Sequence, residues 1–149
     1  MTEIVKLQMI LCQMIIHYDG KQSELNYFFE QIQNPNLNFG IIYRTAVLYE
    51  KYIFSDFLIQ SGKYDINQDP NYVLEIKSCI VSNNSEVVNH YFDDGLEPNA
   101  TQINEILNFY TTLNCEDYDP ELFKRFKYLQ KKIKIKKIKE LLQNQNQKK

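Results

Sequence analysis

The sequence has no tryptophan, and only four glycines, four prolines and three cysteines among its 149 residues. So few chain breakers exclude an all-β sandwich, which needs many tight turns, and they are equally unlike a disordered chain. The cysteines, Cys12, Cys79 and Cys115, are odd in number and far apart, with no CxxC or Cys/His grouping. Neither a disulfide framework nor a structural zinc motif is expected from that pattern. Long apolar runs are missing too. The longest near the start, MILCQMII at 9–16, is broken by Gln13, whereas a membrane span needs about 20 residues. Lys6 is balanced by Glu3, and His17-Tyr18-Asp19 follows the run. A signal peptide would have a basic start and a small-residue cleavage site there. The expectation is an intracellular, cytoplasmic chain with no transmembrane segment.

Scarce glycine also bears on chemistry. Four glycines leave little material for a phosphate-cradling loop, and no P-loop, GxGxxG, GxSxG or HExxH pattern occurs. His17 and His90 are the only histidines; His90 lies near Asp93 and Asp94. A general base or a metal pair is one reading of that grouping. A histidine on a helix surface, or partly buried, is the reading preferred. Asp65, Asp69, Asp93 and Asp94 lack calcium-loop spacing. The sequence therefore predicts no enzyme, no catalytic residue, no cofactor and no metal.

What is abundant is apolar and amide side chain. The chain is 44% hydrophobic, with 11 tyrosines and nine phenylalanines, and has 27 asparagines and glutamines. That suffices for one core and one domain, expected over 1–142. Charge is unevenly spread. Residues 1–120 hold six basic and 17 acidic side chains, net -11, while 121–149 hold 11 basic and two acidic, net +9. An acidic body thus carries a basic tail.

Apolar spacing predicts eight helices. Glu3 to His17 has apolar residues at 4, 7, 10, 11, 14 and 15, a helical stripe. Ser23–Ile32, Ile41 to about Tyr49, Ile53–Ile59, Val73–Val81, Ser85–Phe92 and Ile103–Leu113 follow, separated by Asn-, Asp-, Gly- and Pro-containing breaks. Asp119 caps the last, with Pro120 at its first position, where the missing N–H costs nothing. It is expected to run to about Leu142, with 143–149 a disordered tail. KIKIK at 132–136 alternates like a strand, but its flanks read as helix.

The chain also repeats itself. Gly62 and Gly95 are 33 residues apart, and 43–62 aligns with 76–95 without a gap. Small Ala46 falls over Cys79, Phe54 over Val87, Leu58 over Tyr91 and Ile59 over Phe92. Within SEVVNHYFDDGLEPNA at 85–100, Ser85-Glu86 opens a second helix, Val87 and Val88 form an apolar pair, Gly95 follows, and Asn99 ends the loop. FLIQSGKYDIN at 57–67 matches next best, with one extra residue after Gly62. These features resemble the ankyrin repeat, in its divergent, amide-rich form seen in protists and large DNA viruses. The TPLHLAA start of that motif is absent, and Glu50 and Asn83 stand where its inter-helix glycine would be. The clearest repeats are 41–67 and 73–100. The resemblance implies an all-α fold: a short solenoid of paired antiparallel helices, closed by a longer basic C-terminal helix at 120–142. A stacked pair buries its apolar face only against neighbours, so terminal units are atypical.

What it implies about function is a non-catalytic protein–protein interaction module or scaffold, its partner another protein. In such arrays the loop tips and the first helices bind partners. Tyr43, Tyr64, Tyr72 and Tyr110 are the expected contacts, since tyrosine is large, rigid and amphipathic; core padding is the competing reading for each. In the last helix Leu122, Phe126, Leu129 and Ile133 form an apolar seam at 4-3-4 spacing, and Ile135, Ile138 and Leu142 continue after a skip. Lys124, Arg125, Lys127, Lys131 and Lys134 are the leading members of its basic surface. Nucleic-acid phosphates are the alternative ligand. The acidic body would repel them, and the tail has one arginine, the side chain suited to bidentate phosphate recognition. A cap for the array, or a docking element, fits the helix better.

Overall fold

The computed structural model describes residues 2–114 and 119–147. Every regular element among them is helical: α1 (Glu3–Ile16), α2 (Gln22–Gln31), α3 (Phe39–Leu48), α4 (Tyr52–Gln60), a 3-10 turn (Ile66–Gln68), α5 (Tyr72–Val81), α6 (Ser85–Asp93), α7 (Ala100–Thr112) and α8 (Pro120–Gln147). No described helix is long and apolar enough to cross a membrane.

Short polar side chains cap the starts of α1, α3, α7 and α8. Thr2 Oγ1 accepts from Val5 N at 3.3 Å and Asn38 Oδ1 from Ile41 N at 3.2 Å. Asn99 and Gln102 form a reciprocal capping box, so α7 begins at Ala100, three residues before the start expected from apolar spacing. Asp119 Oδ1 accepts from Leu122 N at 3.0 Å, the cap expected ahead of Pro120. The KIKIK stretch is helical, as its flanks predict. The expected tail is corrected in part: α8 continues to Gln147, because the Gln/Asn stretch after Leu142 contains neither glycine nor proline to stop it. Lys148 and Lys149, like Cys115, lie outside the described residues.

The chain divides into two compact units, Met1–Asp69 with His90–Gly95, and Pro70–Asn89 with Leu96–Lys149. In the first, α3 packs on α4 and on α1. Its core contains Leu11, Ile15, Phe28, Ile32, Ile42, Tyr43, Ala46, Phe54 and Leu58, each fully out of water. Aromatic edges join it: Phe28 meets Phe54 with ring centroids 4.8 Å apart, and Tyr18 meets Phe54 at 4.9 Å. In the second unit, α7 packs on α5 and on α8. Ile76, Ile80, Val88, Ile103, Ile106, Tyr110, Leu122 and Phe126 are buried there.

Four of the helix bounds recur at a spacing of 33 residues. α3 and α5 start at 39 and 72 and end at 48 and 81; α4 and α6 start at 52 and 85 and end at 60 and 93. Gly62 and Gly95 both have positive φ, 74° and 101°. The joints within the pairs also correspond. Glu50 and Asn83 adopt left-handed φ of 58° and 59°. Lys51 N donates to Ala46 O, and Asn84 N to Cys79 O, both at 2.8 Å. These are the two positions where the sequence motif would have glycine, and glycine is the residue that reaches this conformation without strain.

Candidate functional site

α8 is the element with the most uncommitted surface. Its first turns are anchored by the seam read from the sequence. Leu122 and Phe126 are buried, and Phe123 meets the Tyr110 ring edge-on at 5.1 Å. Arg125 Nη1 donates to Asn89 Oδ1 at 3.0 Å, and Gln130 Nε2 to Asn104 Oδ1 at 2.8 Å. Leu129 and Ile133 are half-buried. Beyond Ile133 the pattern ends, and every described residue from Lys134 to Gln147 is exposed.

On that exposed part lies a second apolar stripe. Ile135 follows Phe126 by nine residues, about two and a half turns at 3.6 residues per turn, and so faces the opposite side. Tyr128, Ile138 and Leu142 fall on the same side as Ile135. Their exposures are 63% for Tyr128, 53% for Ile135, 57% for Ile138 and 55% for Leu142. By helical position, Lys132 and Lys139 border the stripe on one side and Lys127 and Lys134 on the other, and Lys131 falls within it between Tyr128 and Ile135. Among the expected basic residues, Lys124 makes a loose, solvent-exposed pair with Glu121 at 3.6 Å, and Lys127 Nζ sits 5.7 Å from the Phe123 ring centre. Lys131 and Lys134 are exposed.

The four tyrosines expected to contact a partner are placed differently. Tyr43, Tyr64, Tyr72 and Tyr110 all belong to the core, with at most 8% of their surface exposed. The reason lies in their helical register and their hydroxyls. Tyr43 shares the inward face of α3 with Ala46 and Val47. Its O–H donates to Asp94 Oδ2, and its ring packs on Tyr64 and Tyr91, with centroids 4.8 and 5.7 Å away. Tyr64 donates to Asp69 Oδ2 at 2.6 Å, and Arg44 Nη1 approaches the same oxygen at 3.0 Å. A ring already out of water has almost no area left to bury against a partner. Burial, followed by the adjacent carboxylates, pushes the Tyr43 and Tyr64 phenols far above their ordinary range. Burial and then the Glu105 charge push Tyr72 up to about 12.

His90 falls near the end of α6. Its ring stacks on Tyr52 at 4.6 Å with a 16° interplanar angle, and its Nε2 lies 3.1 Å from Asp94 Oδ2. Asp56 of α4 joins them: one ligand-type atom from each of Asp56, His90 and Asp94 lies within 4.8 Å of the others. The sequence pairs His90 with Asp94 but gives no sign of Asp56, which is 34 residues from His90 and reaches it only through the fold. No clear catalytic site is assembled among the described residues. The chain matches no protein-family model, and comparison with curated proteins and with solved structures likewise finds no match.

Proposed function

We propose that this chain is a non-catalytic protein-interaction module built from ankyrin-like helix pairs, with the exposed half of α8 as a docking element. The observation that carries the reading is the apolar stripe Tyr128, Ile135, Ile138 and Leu142, exposed and edged by lysines. An isolated exposed leucine is ordinary, but four large apolar groups along one side of a helix form a ready contact. The lysine borders favour an occupant with acidic edges, hence an acidic amphipathic helix of another protein. A second α8 would bring lysine against lysine. The ankyrin-like part of the reading is supported by the 33-residue recurrence of helix ends, glycines and left-handed joints.

Phosphate binding is the second reading, favoured by the six lysines against one glutamate at 131–147. It leaves the apolar stripe unused, and the tail's single arginine is bonded to Asn89. One comparison separates the two. Full-length protein and an Ile135→Glu/Ile138→Glu variant are used to capture partners from the native cell, with helix content checked by circular dichroism. A protein retained by the parent and lost by the variant supports docking. If both capture the same proteins, the stripe is not the contact. A duplex-DNA mobility shift at low salt, abolished by truncation after Gln130, would favour phosphate binding.

A further inference from the structure

We propose that Asp56, His90 and Asp94 form a binding site for a divalent transition metal of the zinc type. The donor set is one imidazole nitrogen and two carboxylates. Imidazole suits zinc, copper and nickel, and is a poor ligand for magnesium or calcium, which take oxygen. Zinc holds such atoms at about 2.0–2.2 Å, so tetrahedral ligand atoms stand roughly 3.4 Å from one another. The His90–Asp94 edge is 3.1 Å, and all three atoms lie within 4.8 Å. Side-chain rotation by Asp56 closes the remaining gap, because Asp56 is exposed. Its exposure also opens a route from solvent and leaves room for water as a fourth ligand.

The surroundings of His90 strengthen this assignment. Nε2 is shut off from solvent and makes no hydrogen bond among the described residues, with Asp94 Oδ2 at an ion-pair distance of 3.1 Å. A buried polar atom left in that state is costly, and coordination to a cation would satisfy it. Both neighbouring ligands are held by tyrosine side chains. Tyr52 stacks on the imidazole and fixes the ring plane. Tyr43 O–H donates to Asp94 Oδ2, the arrangement by which outer groups orient a metal-binding carboxylate. A bound ion would join α4 to the end of α6 and so bind the folded chain in preference to the unfolded one.

The test uses tag-free, full-length protein stripped with a chelator and titrated with zinc chloride by calorimetry, with cobalt(II) absorption as a second probe. One equivalent per chain and a melting temperature that rises with zinc are expected. His90→Gln and Asp56→Asn should each weaken binding at least tenfold. Asp56→Asn should leave the metal-free melting temperature unchanged, because the side chain is exposed, so its effect is separate from damage to the fold. Tyr43→Phe should weaken binding by about tenfold through loss of ligand orientation. Absence of saturable binding by the parent protein overturns the proposal. So does saturable binding that is equally strong in both ligand variants, which would put the metal elsewhere, on the thiols for example.

Discussion

Two tyrosines alike in burial should respond oppositely to loss of the hydroxyl. Tyr43 donates to the Asp94 carboxylate, whereas the buried Tyr72 hydroxyl has no hydrogen-bond partner among the described residues. Tyr43→Phe should cost about 1.5–3 kcal/mol, the range for a hydrogen bond to a charged group. Tyr72→Phe should be neutral or slightly stabilising, and urea denaturation of both variants gives the comparison. Gly40 supplies a second reversal of sign. Glycine to alanine inside a helix normally gains up to about 1 kcal/mol. Here a Cβ would stand 2.6 Å from Asp69 Oδ2 and 3.1 Å from Arg44 Nη1. Gly40→Ala should therefore lower the urea midpoint, by displacing the carboxylate that holds both Arg44 and Tyr64. None of this was legible beforehand. Tyrosine's amphipathic chemistry suits an interface and a core rim equally, and only the register of α3 and the position of Asp94 decide between them.

At the scale of the element, the joints and α8 make the clearest cases. Glu50 is exposed and left-handed, a conformation costing a non-glycine residue about 1–2 kcal/mol. Glu50→Gly should raise stability by up to about 1 kcal/mol, after glycine's extra unfolded-state freedom is offset. Asn83→Gly should gain less, because asparagine tolerates the same region better. In α8, Phe126→Ala should cost about 3–5 kcal/mol, as for other buried phenylalanines. Ile138→Ala should stay within about 0.5 kcal/mol, since its side chain is already largely in water. Thermal or urea denaturation of the pair measures the contrast. Helix positions were largely readable, because apolar spacing and Asn, Gly and Pro breaks are local signals. Starts were less so. Apolar spacing alone starts α7 at Ile103, because its first turn is polar, although Asn99 followed by Gln102 is a readable capping signal. The second face of α8 was only partly readable: the apolar skip after Ile133 was visible, but its exposure depends on where the packing of α8 ends. Asp56 beside His90 could not be read at all, since nothing local links them.

Across the whole molecule, the buried phenols set a limit at high pH. Tyr72 is raised above the ordinary tyrosine value to about 12, and Tyr43 and Tyr64 are raised further. The folded chain holds these protons more tightly than the unfolded one. The contribution of each is thus complete below about pH 10; that of Tyr72 is lost as pH rises through about 12, and those of Tyr43 and Tyr64 at higher pH still. Urea midpoints should fall between about pH 10 and 12, and Tyr72→Phe should flatten that fall; an unchanged slope would remove Tyr72 from the account. The charge balance works at longer range. With -11 over 1–120 and +9 over 121–149, an acidic partner is drawn toward one end of the sequence and repelled by the rest. That arrangement orients an encounter before any contact is made, and added salt weakens it.

The matching helix ends also bear on how such a chain changes length. Tyr72 occupies in α5 the position that Phe39 occupies in α3, so a copy of residues 39–71 placed before Tyr72 would end on the Asn71–Tyr72 junction the chain already makes and would begin with Asn71 in the place of Asn38. Growth or loss by one whole segment then keeps the spacing of every later helix start.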